Sequence, residues 1–293
     1  MLLGLTAGSA AAFPPELPPA PAPPSQAAAK FVFPVLGPAK YVDDFGDARH
    51  QGAHEGIDIM TVRWAPALAV ESGKVEFKSG GWGCMLYLHG DSGAKYLYVH
   101  LNNDLTMKND NRGKCVPGVA FAKGLKSGQT VEAGQHIAYV GDSGDADGIQ
   151  PHLHFERHPG GRGPTNPFSW LNKLPRLLYA APAGSQVSVA LRGTVVSTVL
   201  PDKLRLRVQS ARPYPNGLRI DHSDRGSTVS VPQTAVFETK GGFLALPNLS
   251  LLKRGDPVVV WTEPSPTTLS SQLGRSLIAE RIQLLPPPPT KKA

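Results

Sequence analysis

Glycine and proline interrupt this sequence so often that few stretches of it could form a long helix. The 293 residues include 31 Gly and 29 Pro, a frequency that predicts many turns and argues against a helical bundle. Hydrophobic residues make up 41% of the chain, which is enough for ordinary cores, and the length accommodates two domains. We therefore expect a mainly β protein whose short strands are joined by turns.

The segment His-Leu-His-Phe at residues 152–155 predicts a strand with two histidines on one face. Side chains alternate between the two faces of a strand, so His152 and His154 would project together while Leu153 and Phe155 pack into a core. Imidazole is a preferred ligand of Zn²⁺, which makes this face a candidate metal site. The pattern is weak alone, since an H-x-H occurs by chance roughly 0.3 times in a chain of this composition.

Two other segments supply side chains of the same kind. His54 and Asp58 bracket the sequence His-Glu-Gly-Ile-Asp, and His100 ends a β-type run, Lys-Tyr-Leu-Tyr-Val-His. In that run Tyr98 is expected on the same face as His100, where it either packs against a groove or lends a hydroxyl. The three segments together contain four histidines and one aspartate, the residue types of a catalytic zinc site.

The surroundings of these segments resemble the lysostaphin/LytM-type zinc endopeptidases, which cut peptide bonds in bacterial cell-wall peptidoglycan. The resemblance covers residues 31–170, nearly half of the chain, and its motifs follow the family's order. The matching motifs include Phe-Pro-Val-Leu-Gly (33–37), Asp-Asp-Phe-Gly-Asp-Ala-Arg (43–49), His-Glu-Gly-Ile-Asp-Ile (54–59), Gly-Trp-Gly (81–83), Tyr-Val-His-Leu (98–101), Val-Gly-Asp-Ser-Gly (140–144), Pro-His-Leu-His-Phe-Glu (151–156) and Thr-Asn-Pro (165–167).

Carried over residue by residue, the resemblance implies that His54, Asp58 and His154 bind one Zn²⁺. It also implies that His100 and His152 are the catalytic histidines beside the metal. Zinc in such a site polarises a carbonyl and lowers the pKa of a water molecule toward about 7. An uncoordinated histidine accepts the proton of that water or, when charged, stabilises an oxyanion. The sequence does not divide these roles between His100 and His152.

The resemblance further implies an antiparallel β-sheet groove with the zinc site on its floor, and hydrolysis of the stem or cross-bridge peptides of peptidoglycan. Two alternatives remain open. Some proteins of this kind have lost zinc ligands and serve as catalytically inactive cell-wall-binding or hydrolase-activating modules, but here each ligand position is filled. A zinc peptidase that acts on secreted proteins would carry the same ligands.

The remaining histidines have no partner at ligand spacing. We expect surface or structural roles for His50, His89, His136, His158 and His222. Glu156 shares the predicted strand face of His152 and His154. It is expected either to orient a zinc ligand or to make an ordinary ion pair.

Cys84 and Cys115 are the two cysteines of the sequence and allow one disulfide. The segment 102–127 is longer than its counterpart in the resembling family, and residues 143–151 are longer by about two residues. We expect a disulfide, which an exported protein permits, to hold segment 102–127 against the sheet beside the groove. Two unpaired thiols are the alternative. Both longer segments could reshape the groove without affecting the metal.

The N-terminal residues predict export. Residues 1–12 are apolar and end in small side chains, like the last part of a signal peptide, although the first basic residue is Lys30. A disordered apolar tail is the alternative. The proline-rich residues 13–30 predict an extended spacer. Because the sequence has no run of 18 apolar residues, no transmembrane segment is expected. We predict an exported protein in the cell envelope, in the periplasm or cell wall, or outside the cell.

The sequence changes character after the expected catalytic domain, residues 31–172. Residues 181–285 contain β-type runs separated by turns, at 187–200, 204–208, 228–231, 258–261 and 277–285. These runs predict a small all-β barrel, OB-like or SH3-like, followed by a proline- and lysine-containing tail at residues 286–293.

This second region holds the whole charge excess of the chain. Residues 181–293 carry 14 basic and 7 acidic residues, whereas residues 1–180 carry 16 of each. A basic surface attracts polyanions, so an anionic wall polymer or the envelope surface is a candidate partner. A solvated basic face without a partner is the alternative. Nucleic acid is not expected, because the β-type runs contain few aromatic residues for base stacking and export is predicted.

Overall fold

The computed structural model describes residues 30–50, 52–199, 201–239, 242–244 and 249–286. The predicted signal peptide, residues 13–29 of the spacer and nearly all of the C-terminal tail therefore lie outside the described residues. Two β units follow one another along the chain: the strands of the first end at His158, and those of the second begin at Gln186. The prediction of a mainly β protein with antiparallel sheets is confirmed.

The first unit contains one six-stranded antiparallel sheet and two separate pairs of short strands. Its strands are β1 (Ala48–Arg49), β2 (Gly52–Ala53), β3 (Ile57–Met60), β4 (Pro66–Leu68), β5 (Gly73–Gly80), β6 (Gly83–Gly90), β7 (Lys95–Leu101), β8 (Thr130–Val131), β9 (His136–Tyr139) and β10 (His152–His158), followed by helix α1 (Phe168–Leu171). The main sheet has the order β3-β10-β7-β6-β5-β8, while β1 pairs with β2 and β4 with β9.

Strand β10, which lies between β3 and β7, separates a core face from a site face, as its sequence predicts. Leu153 and Phe155 are fully buried in the core. His154 lies opposite Asp58 of β3 and Val99 of β7, and directly opposed residues project from the same side of a sheet. Full burial of each apolar side chain contributes about 1.5–3 kcal/mol. A shift of the β10 pairing by one residue would turn Leu153 and Phe155 to the other face of the sheet. Burial of these two side chains therefore fixes the register that brings His154 beside Asp58.

Strand β7 departs from regular alternation at its end. Its pairing with β6 shifts register between Tyr98 and Leu101, and His100 has a φ of 58°. A left-handed residue in a bulge redirects the side chains that follow it. Tyr98 lies fully buried in the core, where its hydroxyl donates to the Leu68 carbonyl. His100 instead lies beside His152 on the site face. The prediction that Tyr98 and His100 share a face is therefore wrong.

Segment 102–127 is anchored to the sheet at two places. Cys115 forms a disulfide with Cys84 of β6, which confirms the predicted pairing. Further along, Phe121 stacks on Phe77 of β5 with ring centroids 3.7 Å apart. The segment thus packs along the sheet from β6 to β5.

The second unit forms a closed ring of strands. Its elements are β11 (Gln186–Val199), β12 (Lys203–Tyr214), β13 (Ile220–Ser230), β14 (Val236–Thr239), β15 (Gly242–Leu244), β16 (Pro257–Thr262), β17 (Ser265–Pro266), helix α2 (Leu269–Gln272) and β18 (Leu277–Leu284). The pairing runs β13-β12-β11-β16-β18, and a parallel contact between β18 and β13 closes it. This closure is what a small barrel requires; the OB-like assignment stays a prediction.

An apolar cluster joins the two units. Val32 and Leu68 of the first unit pack with Leu177 of the connecting segment and with Ile220 and Leu273 of the second. Among the described residues no helix has the length and apolar character needed to cross a membrane.

Candidate metal centre

Three side chains converge on one point at the site face of the main sheet. Nε2 of His54 is 2.8 Å from Nδ1 of His154, and Oδ1 of Asp58 is 3.0 Å from each of these nitrogens. His54 and Asp58 are buried, and His154 is nearly so. Ligand atoms around tetrahedral zinc lie about 3.3 Å apart, given bond lengths near 2.0–2.1 Å. The triangle therefore needs to open only slightly to hold such an ion.

The glycine in the His-Glu-Gly-Ile-Asp segment permits this convergence. A Cβ atom at Gly56 would lie 2.7 Å from the carbonyl oxygen of Phe155 and 2.9 Å from the His154 ring. Atoms do not approach that closely without displacement, so a side chain here would push the β3 segment away from β10. Gly56 thus allows His54 to reach the ligand cluster across the neighbouring strand.

The outer polar atoms of His54 and Asp58 are held by their surroundings. Nδ1 of His54 lies 2.8 Å from the carbonyl oxygen of Asp44. Since a carbonyl only accepts, Nδ1 donates and Nε2 presents its lone pair to the centre of the cluster. Arg49 donates to Oδ2 of Asp58 at 3.0 Å. Both ligands are therefore fixed in the form that binds a cation.

Glu156 holds the third candidate ligand. Its Oε1 lies 3.1 Å from Nε2 of His154, and its Oε2 lies 2.5 Å from Nε2 of His158. A carboxylate accepts the Nε2 proton of His154 and leaves Nδ1 directed at the cluster. Glu156 thus has both roles considered for it, since it orients His154 and pairs with His158.

The charges of the cluster favour a cation at its centre. Burial acts against the Asp58 carboxylate, but hydrogen bonds to His154 and His54 outweigh burial and hold the pKa of Asp58 well below its usual value. Burial also acts against charge on His154, yet its contacts with Asp58 and Glu156 raise the pKa of His154 to about 9. The two carboxylates thus favour positive charge between them, and a proton and a metal ion compete to supply it. The donor set fits zinc.

His100 and His152 lie beside the cluster with their ring centroids 5.0 Å apart. Nδ1 of His100 is 3.0 Å from the Ser143 carbonyl oxygen, and Nδ1 of His152 is 2.9 Å from the Gln150 carbonyl oxygen. Each carbonyl fixes a proton on Nδ1, which leaves Nε2 as the acceptor. Burial and then the neighbouring His152 lower the pKa of His100 to about 4. His100 is therefore neutral at pH 7.

The segment that supplies these carbonyls is itself tied down. Ser143 donates from Oγ to the Leu101 carbonyl oxygen at 2.5 Å and accepts from the Cys84 amide at 2.9 Å. Asn109 and Asn111 of segment 102–127 reach forward to the carboxylate of Asp147, at 2.8 and 2.9 Å.

A buried ion-pair cluster completes this connection. Arg63 binds Asp142 through two hydrogen bonds, at 2.5 and 2.7 Å, and also contacts Asp104. Both carboxylates are fully buried. Sequence reasoning missed Asp44, Arg49, Arg63, Asp104, Asp142 and Ser143. The motif Val-Gly-Asp-Ser-Gly contains two of them and could have indicated these, but nothing in the sequence pairs Arg63 with its distant partners.

The other histidines stay apart from the cluster. His50 and His89 are exposed. His136 contacts the Ala138 carbonyl oxygen, His158 contacts Glu156, and His222 contacts the Leu178 carbonyl oxygen. Within the described ranges, one group of residues has the geometry to hold a metal ion: His54, Asp58 and His154.

Comparison with known proteins agrees with this geometry. Residues 119–167 match the model of Peptidase family M23. The L-Ala–D-Glu endopeptidase of Bacillus subtilis (strain 168) is 33% identical over 137 residues, which are 43% of this chain and 36% of that protein. An uncharacterized metalloprotease of Haemophilus influenzae is 31% identical over 119 residues, 40% of this chain and 20% of that protein. The chain thus spans about a third and a fifth of these relatives.

Solved structures that resemble this chain each cover slightly less than half of it. The catalytic domain of lysostaphin from Staphylococcus simulans is 24% identical and covers 46% of this chain and 93% of that one, with a TM-score of 0.35. LytU is 28% identical and covers 47% and 88%, with a TM-score of 0.37. The family match lies within the first unit, and together with the two curated relatives it shows that this part of the chain is similar to the LytM-type peptidases of family M23.

Proposed function

We propose that this protein is a zinc-dependent endopeptidase that hydrolyses peptide bonds in bacterial peptidoglycan. The observation that carries the proposal is the convergence of His54, Asp58 and His154, with His100 and His152 beside them. The name of the Bacillus relative, an L-Ala–D-Glu endopeptidase, supports a peptide of this kind as substrate.

The ligand number supports a catalytic centre over a structural one. Structural zinc sites use four protein ligands, whereas catalytic sites use three and keep a position open. Nε2 of His54, Oδ1 of Asp58 and Nδ1 of His154 would hold the ion. When bound, zinc supplies a Lewis acid that polarises the scissile carbonyl and acidifies a water molecule.

The two neighbouring histidines provide the proton transfers. Because the Nδ1–H group of each ring donates to a backbone carbonyl oxygen, each histidine presents Nε2 as a base toward the site. One of them accepts the proton of the attacking water at Nε2 and delivers it to the leaving amine. The other, when it has taken a proton from solvent at Nε2, donates a hydrogen bond to the developing oxyanion. The roles of His100 and His152 stay undivided, because both rings are held alike.

The disulfide supports an extracytoplasmic location. Disulfides persist in oxidising compartments such as the periplasm and the cell exterior, and Cys84 is bonded to Cys115. Peptidoglycan lies in the same compartment, so enzyme and substrate would meet there. We propose accordingly that the protein is exported to the cell envelope.

An inactive wall-binding or hydrolase-activating module is the second candidate. No observation favours it, because each ligand is present and each has a polar partner on its outer side. Loss of catalysis would relieve the need for such an arrangement.

The test uses the full chain with purified peptidoglycan sacculi. Metal analysis should find one zinc per chain, and digestion should release new amino termini that chelation abolishes. His100→Ala controls for contaminating hydrolases, and casein, given in parallel, tests a protein substrate. If zinc-loaded protein releases no more amino termini than His100→Ala does, the enzyme assignment is wrong. Cleavage of casein but not of sacculi would overturn the substrate class, and mass spectrometry of the fragments identifies the bond.

A further inference from the structure

A cleft in the second unit is lined by four basic side chains. Lys203 and Arg205 come from β12, Arg225 comes from β13, and Arg275 comes from the turn before β18. The cleft has a volume of about 810 Å³. Its described lining contains no carboxylate, and hydroxyl groups complete the wall at Ser227, Thr228, Ser230 and Ser276.

Strand pairing places Lys203 and Arg205 on one face of the sheet with two hydroxyl groups, whereas Arg225 lies opposite Val208 and reaches the cleft from the other face. Arg205 lies opposite Thr228, and Lys203 lies opposite Ser230, across the β12–β13 ladder. Directly opposed residues share a face, so cations and hydroxyls alternate along one surface. The parallel contact of β13 with β18 brings Arg275 to the same place, where the ring of strands closes.

Arg225 has no acidic partner among the side chains that the structure describes. It is half-buried, and Nη2 donates to the carbonyl oxygens of Arg176 at 2.5 Å and Leu273 at 3.1 Å. Its Nε is buried without a hydrogen-bond partner. Burial, followed by Arg176 and Arg275, lowers the pKa of Arg225. Removing a guanidinium from water without a paired anion is costly, so this position favours an anion brought from outside.

The neighbouring cations are also largely free to bind. Arg205 and Arg275 make no ion pair with any described residue. Lys203 donates to Ser230 at 2.6 Å and lies 3.5 Å from the exposed carboxylate of Asp202. An exposed pair of that kind contributes little, and an incoming anion can compete with it.

We propose that this cleft, the basic cleft of Lys203, Arg205, Arg225 and Arg275, is a binding site for phosphoryl groups carried by a polymer or lipid of the cell envelope. A phosphoryl group offers several acceptor oxygens around one tetrahedral centre, which suits planar guanidinium groups together with hydroxyl donors. A carboxylate offers two oxygens in one plane and would leave most of these donors unused. The site is distinct from the metal centre, and its occupancy does not depend on hydrolysis.

Calorimetric titration of the full chain with sodium pyrophosphate, at fixed ionic strength, tests the proposal. We expect saturable binding and a weaker response to citrate. Arg205→Gln with Arg275→Gln should weaken pyrophosphate binding by at least about tenfold, because two charge-assisted contacts are removed. The matched control, Arg192→Gln with Arg254→Gln, removes two exposed charges outside the cleft and should change affinity less than about twofold.

Three calorimetric outcomes would overturn the proposal: no saturable binding by the unmodified chain, citrate binding as tight as pyrophosphate, or equal losses in both double variants. Two further probes distinguish a lipid from a wall polymer as the source of the phosphoryl group. Co-sedimentation with phosphatidylglycerol vesicles, compared with phosphatidylcholine vesicles, detects a lipid headgroup, and retention by soluble poly(glycerol phosphate) detects a wall polymer. Retention that the cleft variant leaves unchanged would assign binding to overall charge and contradict the site.

Discussion

The two sets of functional side chains in the first unit are supported in different ways. His54, Asp58 and His154 project from or beside paired strands, and their outer atoms bond to Asp44, Arg49 and Glu156 nearby. Their positions follow from sheet register and from side chains packed around them. We call these three residues the ligand trio.

His100 and His152, the histidine pair, depend on a loop. Their Nδ1 atoms donate to carbonyl oxygens of segment 142–150, and that segment is tied to segment 102–127 through Arg63 and Asp147. A disulfide in turn fastens segment 102–127 to the sheet. The difference implies that metal affinity and catalytic rate rest on separable supports. Variants of His152, Arg63, the disulfide and Glu156 test that separation.

The largest effect is expected from comparing one residue of each set. His154→Ala removes one of the three candidate ligands and the imidazole between the Asp58 and Glu156 carboxylates. Both bound zinc and activity should therefore be lost. His152→Ala leaves the trio intact, so zinc content should stay at one per chain while sacculus digestion falls by about 10²–10⁴-fold. Metal analysis and release of amino termini measure both. Loss of zinc from His152→Ala would show that the two sets are not separable.

The buried ion-pair cluster should dominate the stability of the loop that serves the histidine pair. Arg63→Met leaves Asp104 and Asp142 buried without a cation, which costs about 3–5 kcal/mol in the free energy of unfolding. Digestion should fall, whereas zinc bound at saturating metal should not. Urea unfolding provides the measurement. The matched control is Arg219→Met, which breaks an exposed pair with Asp221 and should cost less than about 1 kcal/mol. Equal effects of the two changes would contradict the argument.

The disulfide should act on the same loop with a somewhat smaller effect. Cys84→Ala with Cys115→Ala opens a loop with a sequence separation of 31 residues, which the chain-entropy model values at about 3–4 kcal/mol. Phe121 and Arg63 still hold the segment, so digestion should decline without loss of zinc. Unmodified protein treated with dithiothreitol should reproduce the variant's unfolding midpoint. A midpoint that reduction does not lower would mean that the bond adds nothing to the anchoring.

The ligand trio lies where sequence patterns are strongest. Alternation in residues 152–155 places two histidines opposite a buried core face, and register carries His154 to Asp58. The histidine pair could not be placed in this way. The bulge at the end of β7, with His100 at a positive φ, has no local signal because the residue is not glycine. Arg63 contacts partners 41 and 79 residues away, and such contacts leave no trace in spacing.

In the second unit, too, local sequence patterns predict strands, whereas features that depend on pairing between distant segments leave no pattern. Among the described residues, each β-type run predicted there overlaps one strand of the closed ring. The end of β12 and the first half of β13 are not predicted, because residues 209–214 and 220–227 are mostly polar and lack a regular apolar alternation. Closure of the ring keeps these residues in strands by pairing them with neighbours. The basic cleft arises from that closure, so its members are scattered over 73 positions, from Lys203 to Arg275.

His136 provides a histidine that belongs to neither set. Burial lowers the pKa of His136 to about 4, whereas an unfolded chain titrates near 6.5. The unfolded state therefore takes up the proton first, and stability that is complete above pH 6.5 falls as the pH drops toward 4, by at most about 3 kcal/mol. His136→Gln should flatten this slope in urea unfolding of chelator-treated protein, without changing digestion at pH 7. An unchanged slope would contradict the assignment.

The smallest effect, a change in zinc affinity, is expected from removing the negative charge of Glu156 beside the ligand trio. Glu156→Gln keeps an acceptor oxygen for Nε2 of His154 but removes the negative charge that makes His154 a stronger donor to a cation. Outer partners of zinc ligands typically contribute 10–100-fold to metal affinity, so we expect the zinc Kd to rise about tenfold. Digestion at saturating zinc should change little, because the histidine pair is untouched. Glu76→Gln is the matched control, since Glu76 pairs with the exposed His89 at 3.1 Å. If both variants bind zinc like the unmodified chain, sheet register alone holds the trio, and its polar surroundings are not part of the support.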